Sequence, residues 1–339
     1  MSHFIPLAFN STELPPAFAQ CIDRTRRALH ARLADAPAGE MLRQYFERGK
    51  MLRAFLVFAS AASVGADPED VGRAAEAIEL MHGASLFHDD IIDQAAQRRG
   101  LASLHERLGV GRALVVGDDL LLRAFSALSE TPSCPAPRLI QAMEVLNSLA
   151  RECCRGQFDE LCADRWISEE GYLAIVSAKT AAPFVAAGVL GVLLGGGSEA
   201  QLAQIRTYAR HLGIAFQIND DLLDLTGEEC RLGKPVGNSL AHGRPMLPLI
   251  YLWQLSSDAT RKDLRRLGQD SSARGELVEM LEQNGIVDRV RQVQQFYIDA
   301  ALAALEGFHD GSGVDALRAM VTHGRARDHL GKASGSPGV

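Results

Sequence analysis

The sequence has no basic excess, no cysteine pairing pattern, no linker and no uninterrupted apolar run of membrane length. Each absence removes a class of function. Lys and Arg total 35 against 42 Asp and Glu, a net charge of -7, so nothing marks a nucleic-acid-binding face. An anionic substrate would instead require cations gathered locally. The cysteines (Cys21, Cys134, Cys153, Cys154, Cys162 and Cys230) show neither a C-x-x-C pair nor a zinc spacing. The start, Met1-Ser2-His3, carries no signal-peptide pattern, so reduced thiols in a cytoplasmic protein are expected. The run 181–197 is apolar but short, and Pro183 and several glycines interrupt it. It reads as a buried helix and not as a membrane span. No Pro/Gly/Ser linker or repeat divides the 339 residues, and 47% hydrophobic content supports a sizeable core. One helical domain over 1–330 with a disordered tail at 331–339 is the expectation.

What is present is helical period nearly everywhere and almost no alternation of period two. Pro15-Pro16 open a first helix that Pro37 stops. Further helices are expected at about 40–64, 69–94, 111–130, 137–165, 169–194 and 198–227. After a Gly- and Pro-bearing loop, 228–245, they continue at about 246–255, 258–267, 272–284, 286–308 and 313–330. The stretch 95–110 reads as a polar connection with a short helical turn.

Two of these helices carry the same acidic spacing. Leu86 to Asp93 reads L-F-H-D-D-I-I-D, and Phe216 to Asp224 reads F-Q-I-N-D-D-L-L-D. Residues four apart share a helix face, so Asp89 stacks on Asp93 and Asp220 on Asp224. Carboxylates so placed in an apolar run repel and lose hydration, and call for a cation. Oxygen-only ligation favours a hard ion, and Mg2+ takes one or two carboxylates together with phosphate oxygens and water. Two such clusters facing one cavity would hold a diphosphate through bridging Mg2+. The plainer alternative, capping or solvated charges, suits one cluster better than two of identical spacing.

Cations follow the same stretches. Arg98-Arg99-Gly100 comes just after the first cluster, and adjacent arginines in a loop can reach different anions. Lys50 and Arg53 lie i, i+3 at a helix start. His82 lies two turns before Asp89, either as a donor or as a satisfied core histidine. Lys179-Thr180 sits within an apolar helix, where the lysine either snorkels or faces a polar cavity. Lys234 and Arg244 lie in the loop after the second cluster.

With these residues in view, the chain resembles the trans-isoprenyl diphosphate synthases of the polyprenyl synthetase family. Residues 79–100 resemble the family's first Asp-rich motif with its Arg pair, and 117–125 (G-D-D-L-L-L-R-A-F) the helix that follows. Residues 216–237 resemble its second motif, and 48–53 its G-G-K-R-x-R-P region imperfectly. The resemblance implies an all-α, isoprenoid synthase-type bundle of long helices around a central cavity, working as a homodimer. It implies that Asp89, Asp93 and Asp220 bind Mg2+, three ions per site, with Asp90, Asp221 and Asp224 completing the acidic set. Arg98, Lys179 and Lys234 would hold an allylic diphosphate, and Lys50, Arg53, His82 and Arg99 isopentenyl diphosphate. Thr180 and Gln217 would flank the carbocation. Arg48, Met51 and Ala54 depart from the first motif, Ser239 stands for the usual Asp, and Arg244 keeps the charge of the usual Lys.

The implied reaction is metal-assisted ionisation of the allylic diphosphate, followed by attack of the isopentenyl double bond. A class I terpene cyclase shares fold and metal chemistry but needs no second diphosphate site, and Lys50, Arg53, His82 and Arg99 argue against it. A non-catalytic synthase subunit could lose its acidic clusters, and both are intact. A chain growing from Asp89 runs toward the N-terminus of its helix. Ala84, five residues back, is ~7.5 Å along the axis. Ala84 and Ser85 are small where synthases that stop early often resemble one another in carrying aromatics, and Leu80 and yielding Met81 come next. Products longer than farnesyl diphosphate are therefore expected. The alternatives are a geranyl, farnesyl or geranylgeranyl diphosphate synthase, or small residues that serve only close helix packing.

Overall fold

The computed structural model describes residues 15–132, 134–227, 238–267 and 274–326. The opening arm, the tail at 331–339 and Lys234 lie outside the described residues. The rest is all-α apart from one small hairpin. In chain order the helices are α1 (Pro16–Arg32), α2 (Gly39–Glu47), α3 (Leu52–Ser63), α4 (Gly72–Ile92), α5 (Leu104–Leu108), α6 (Val110–Ser129) and α7 (Ala136–Cys162). There follow α8 (Glu169–Val176), a π-helical turn (Ser177–Ala181), α9 (Ala182–Leu194), α10 (Glu199–Thr226) and α11 (Asn238–Ala241). The last are α12 (Leu247–Leu255), α13 (Asp258–Leu267), α14 (Arg274–Gln283), α15 (Ile286–Ala303) and α16 (Ser312–Ala326).

Helix starts follow local chemistry. Ser198 and Gln201 form a reciprocal capping box at α10. The Ser168 hydroxyl accepts from the Gly171 amide at α8. Asp67 caps a 3-10 turn, Pro68–Val71, that leads into α4. The single helix expected at 40–64 is broken in two, because Met51 adopts a left-handed φ of 54° before α3. The connection at 95–110 contains an antiparallel pair, Gln97–Arg98 with Leu101–Ala102. Its turn residues Arg99 and Gly100 both have positive φ, 55° and 70°, as a twisted two-residue hairpin turn requires.

Two apolar clusters organise the bundle. The larger joins α1 to α7, α9, the first half of α10, the end of α15 and α16; the smaller joins α8, the second half of α10, α12 to α14 and the start of α15. The chain crosses from one to the other at Ala181–Ala182, over Leu212–Ile218 and between Val290 and Ile298. α9 is apolar all round and buried along most of its length, as the sequence implied. With α8 it spans Glu169–Leu194, 26 residues, long and apolar enough to cross a membrane by composition, yet 67% of the apolar window is buried inside the protein. At Gly191 a Cβ would lie 2.3 Å from the Val57 carbonyl oxygen, so α3 and α9 meet backbone to backbone. That crossing fixes the inner wall from which the polar residues of the next section project.

Candidate active site

α4 brings up the first acidic cluster with its carboxylates divided between two faces. Asp89 is half-buried and faces Lys179, whose Nζ lies 4.0 Å from its Oδ1. Asp93 pairs with the Arg244 guanidinium. Asp90, one residue round the helix from Asp89, is fully buried, and its Oδ1 takes two bonds from Arg98, from Nη2 at 2.5 Å and from Nε at 2.7 Å. Burial pushes the Asp89 and Asp90 carboxyls above the usual range, and these cations pull them back.

The π-turn faces this cluster. Lys179 Nζ donates to Glu160 Oε2 of α7 at 2.6 Å, and Arg244 Nε lies 3.6 Å from the same oxygen. Thr180 Oγ1 donates to Gln217 Oε1 of α10 at 2.8 Å. One turn further on, Asp220 is half-buried and Asp221 is turned into the smaller core. Asp221 accepts from Tyr172 Oη (2.7 Å), Gln217 Nε2 (2.8 Å) and the Leu247 amide (3.1 Å). Burial still pushes its carboxyl up to about 7. Asp224 accepts from the Ser239 amide at 2.9 Å, so the serine in place of the usual Asp contributes through its backbone.

Of the six carboxylates, the structure sets Asp89 opposite Lys179 of the π-turn, pairs Asp93 with Arg244 and leaves Asp220 half-buried, while Asp90, Asp221 and Asp224 face inward and are already bonded. Among the described residues no three acidic, His or Cys side chains are gathered closely enough to hold a metal ion alone. The donor set still suits Mg2+, which completes its shell with phosphate oxygens and water. The amide of Gln157, three residues from Glu160, is buried with no partner on either atom among the described residues, as is Asp90 Oδ2. Open polar atoms beside the clusters fit a hydrated ion or an anion better than a closed core.

A second group lies behind α4. Arg53 is half-buried over the Phe184 ring, 4.7 Å from its centroid, with its Nε buried and unpartnered among the described residues. Burial lowers its guanidinium to about 10, still cationic at neutral pH. Burial, with Arg53, Arg99 and Arg98 nearby, holds His82 well below its usual value and therefore neutral. Arg99 Nη1 donates to the Tyr45 carbonyl at 2.8 Å, and Arg48 Nη1 reaches the Arg99 and Gly100 carbonyls, each at 3.2 Å. The arginine that replaces the family's first glycine therefore braces the hairpin turn. Lys50 is exposed beside it. On the chain-length stretch, Leu80 and Ala84 are fully buried and Met81 nearly so, while Ser85 is part-exposed on the face of Asp89.

Three residues were missed in the sequence. Glu160 draws Lys179 and Arg244 together, but a single acid on a helix with a charged outer face gives no periodic signal. Glu79 is 3% exposed, accepts from the Ala54 amide at 3.0 Å and carries charge opposite Arg53 and Arg99. A glutamate on the apolar side of α4 was the signal available. Tyr172 shows itself only once Asp221 is seen to point inward.

Residues 36–284 match the family described as Polyprenyl synthetase. A short chain isoprenyl diphosphate synthase of Methanothermobacter thermautotrophicus is 32% identical over 285 residues, 83% of this chain and 87% of that protein. An octaprenyl diphosphate synthase of Escherichia coli is 30% identical over 285 residues, 83% and 86% of the two chains. The crystal structure of a polyprenyl synthase from Caulobacter crescentus, complexed with calcium and isoprenyl diphosphate, superposes with a TM-score of 0.86 at 29% identity. It covers 95% of this chain and 99% of that one.

The Asp221 contacts carry a pH-dependent prediction. An ordinary aspartate titrates near 3.9, so a folded value of about 7 means tighter proton binding in the folded chain. Its contribution to stability therefore falls as pH rises from about 4 through about 7. Tyr172→Phe removes one donor to the charged form, for an expected loss of ~1–3 kcal/mol that grows between about pH 6 and about pH 8. Urea midpoints at the two pH values check this, and equal losses would show that the phenol does not act on the charge.

Proposed function

The chain belongs to the polyprenyl synthetase family and is a prenyltransferase, and from that premise we propose that it condenses isopentenyl diphosphate with an allylic diphosphate and extends products beyond farnesyl diphosphate. The observation that carries the proposal is the π-turn lying between the acidic helices, with Lys179 facing Asp89 of α4 and Thr180 bonded to Gln217 of α10. A terpene cyclase needs the first half of this arrangement but not the half-buried Arg53, His82 and Arg99 group.

Asp89, Asp93 and Asp220 would hold Mg2+, with Asp224 behind them. The chemistry that Mg2+ would supply there is neutralisation of diphosphate charge and Lewis-acid assistance to the leaving group. Lys179, Arg98 and Arg244, joined by Lys234, bind the allylic diphosphate by charge-assisted hydrogen bonds. Arg53, Arg99, Lys50 and neutral His82 bind isopentenyl diphosphate. The Thr180–Gln217 pair sets oxygen atoms beside the electron-poor allylic carbon, and burial keeps out water that would quench it. The isopentenyl double bond forms the new carbon–carbon bond, and the proton passes to the departing diphosphate.

A second copy of the chain completes the protein. Leu114, Val115 and Leu122 of α6 and Ile140, Phe158 and Leu161 of α7 are all exposed, Leu122 by 68% and Phe158 by 66%. An apolar face of this extent marks an interface, and like surfaces pair by a twofold axis. Sedimentation equilibrium should return twice the 36.6 kDa chain mass; a monomer would reject the pairing.

Asp89→Ala and Asp220→Ala should each lower turnover by at least ~100-fold while the protein stays folded, since metal assistance is worth several kcal/mol. Mass spectrometry of products with each allylic primer, with and without isopentenyl diphosphate, is the test. Near-normal activity in either variant sinks the two-cluster arrangement, and a hydrocarbon made without isopentenyl diphosphate would favour a cyclase.

Product length rests on the face of α4 that carries Asp89. Ser85, one turn back on that face, is where a growing tail presses first, with Ala84 packed behind it and Met81 and Leu80 beyond. Ser85→Phe should shorten the products and spare the first condensation. Ala84→Phe should also shorten them, at ~1–3 kcal/mol of stability for overpacking. A wild-type enzyme that stops at geranyl or farnesyl diphosphate would place the floor elsewhere.

A further inference from the structure

α7 holds Lys179 at three points, of which the ammonium contact with Glu160 is only one. Cys153, Gly156 and Glu160 are spaced i, i+3, i+7 and share a face of that helix. At Gly156 a Cβ would lie 2.7 Å from the Lys179 amide nitrogen and 2.9 Å from the Ala178 Cβ, so the two backbones touch. One turn back, the Cys153 thiol donates to the Lys179 carbonyl oxygen, with Sγ at 3.7 Å.

The carbonyl at that position has a particular need. In an α-helix it would accept from the amide four residues on, which is Pro183 and has no N–H. The chain widens there into the π-turn Ser177–Ala181, in which the Ala182 amide reaches back to the Ser177 carbonyl. We infer that Cys153 is a positioning residue, whose S–H replaces the donor that Pro183 lacks and thereby fixes Lys179 and Thr180 toward the acidic clusters. Burial pushes the thiol up to about 12, so it stays a protonated donor at working pH. Its neighbour Cys154 is exposed and makes no such contact among the described residues. The inference rests on the proposed role of Lys179 at the allylic diphosphate.

Three variants of the full-length enzyme separate the donor from the bulk it occupies. Cys153→Ser keeps a donor, Cys153→Val keeps volume without one, and Cys153→Ala removes both. Cys153→Val should raise KM for the allylic diphosphate ~3- to 10-fold, the size of one neutral hydrogen bond, with KM for isopentenyl diphosphate little changed. Backbone amides in 177–186 should exchange with deuterium faster by a similar factor. Cys153→Ser should restore both readings to near wild type. A valine variant that behaves as the serine one does in both overturns the inference, and if valine does not fold, the Ala and Ser variants decide by the same comparison. Lys179→Ala tests the underlying reading separately. Should its allylic KM stay normal while exchange still rises in Cys153→Val, the role of Lys179 fails and the grip of Cys153 stands. Raised allylic KM in Lys179→Ala with unchanged exchange in Cys153→Val has the opposite meaning.

Discussion

Mutual repulsion among carboxylates buried on facing helices is the constraint to which the rest of the structure answers. Asp89, Asp90 and Asp93 on α4, and Asp220, Asp221 and Asp224 on α10, are placed in apolar runs where an unpaired charge costs several kcal/mol. The chain meets that cost from elements distant in sequence. Arg98 comes from the hairpin, Lys179 from the π-turn and Arg244 from the loop after α11. Asp221 is met differently, by a phenol, an amide and a backbone N–H, none of them charged. That difference explains why its carboxyl rises to about 7.

The cation pairings bear on how such a site would work. Lys179 and Arg244 both lean on Glu160 as well as on α4, so neither depends on the acidic cluster alone for a partner. In the proposed reaction Asp89 and Asp93 would serve as metal ligands, and Lys179 and Arg244, kept in reach by Glu160, would be free for diphosphate oxygens. A lysine and an arginine held by one shared anion are preorganised without being neutralised by the cluster they serve. Preorganised charge costs no rearrangement at the moment of reaction, which is where electrostatic stabilisation has its largest effect.

Much of this could be read from the residues. Helical period located nearly every long helix within a few residues, and i, i+4 spacing put Asp89 beside Asp93 correctly. What escaped was the part decided by tertiary contact. The hairpin at 97–102 is two residues a side, too short for any alternation, and its first turn position is Arg99, not a residue that announces positive φ. Met51 breaks the second helix for the same reason, since nothing in an apolar side chain signals a left-handed backbone. Asp90 and Asp221 looked equivalent to their neighbours because spacing ranks residues by face but not by what each face meets. Glu160 and Cys153 matter only through what α7 packs against. A single sequence contains both residues and no trace of that contact.

Pro183 shows how the two kinds of information combine. Its ring in a helix interior costs on the order of 3 kcal/mol, and α9 is otherwise among the most apolar and best buried helices of the chain. Sequence alone explains that proline as a break that makes a membrane span less suitable. Placed in the structure, the same break widens the helix by one residue at Ser177–Ala181, where the chain passes from the smaller apolar cluster to the larger and Lys179 and Thr180 face the acidic helices. A regular α-helix would advance each residue by about 100° and carry the face of Lys179 and Thr180 onward without a step. The π-turn resets that phase, so Lys179 and Thr180 can face the acidic helices while α8 before them and α9 after them are each packed into an apolar cluster. A local cost in backbone hydrogen bonding thus opens a polar step between two helical parts that both stabilise the fold.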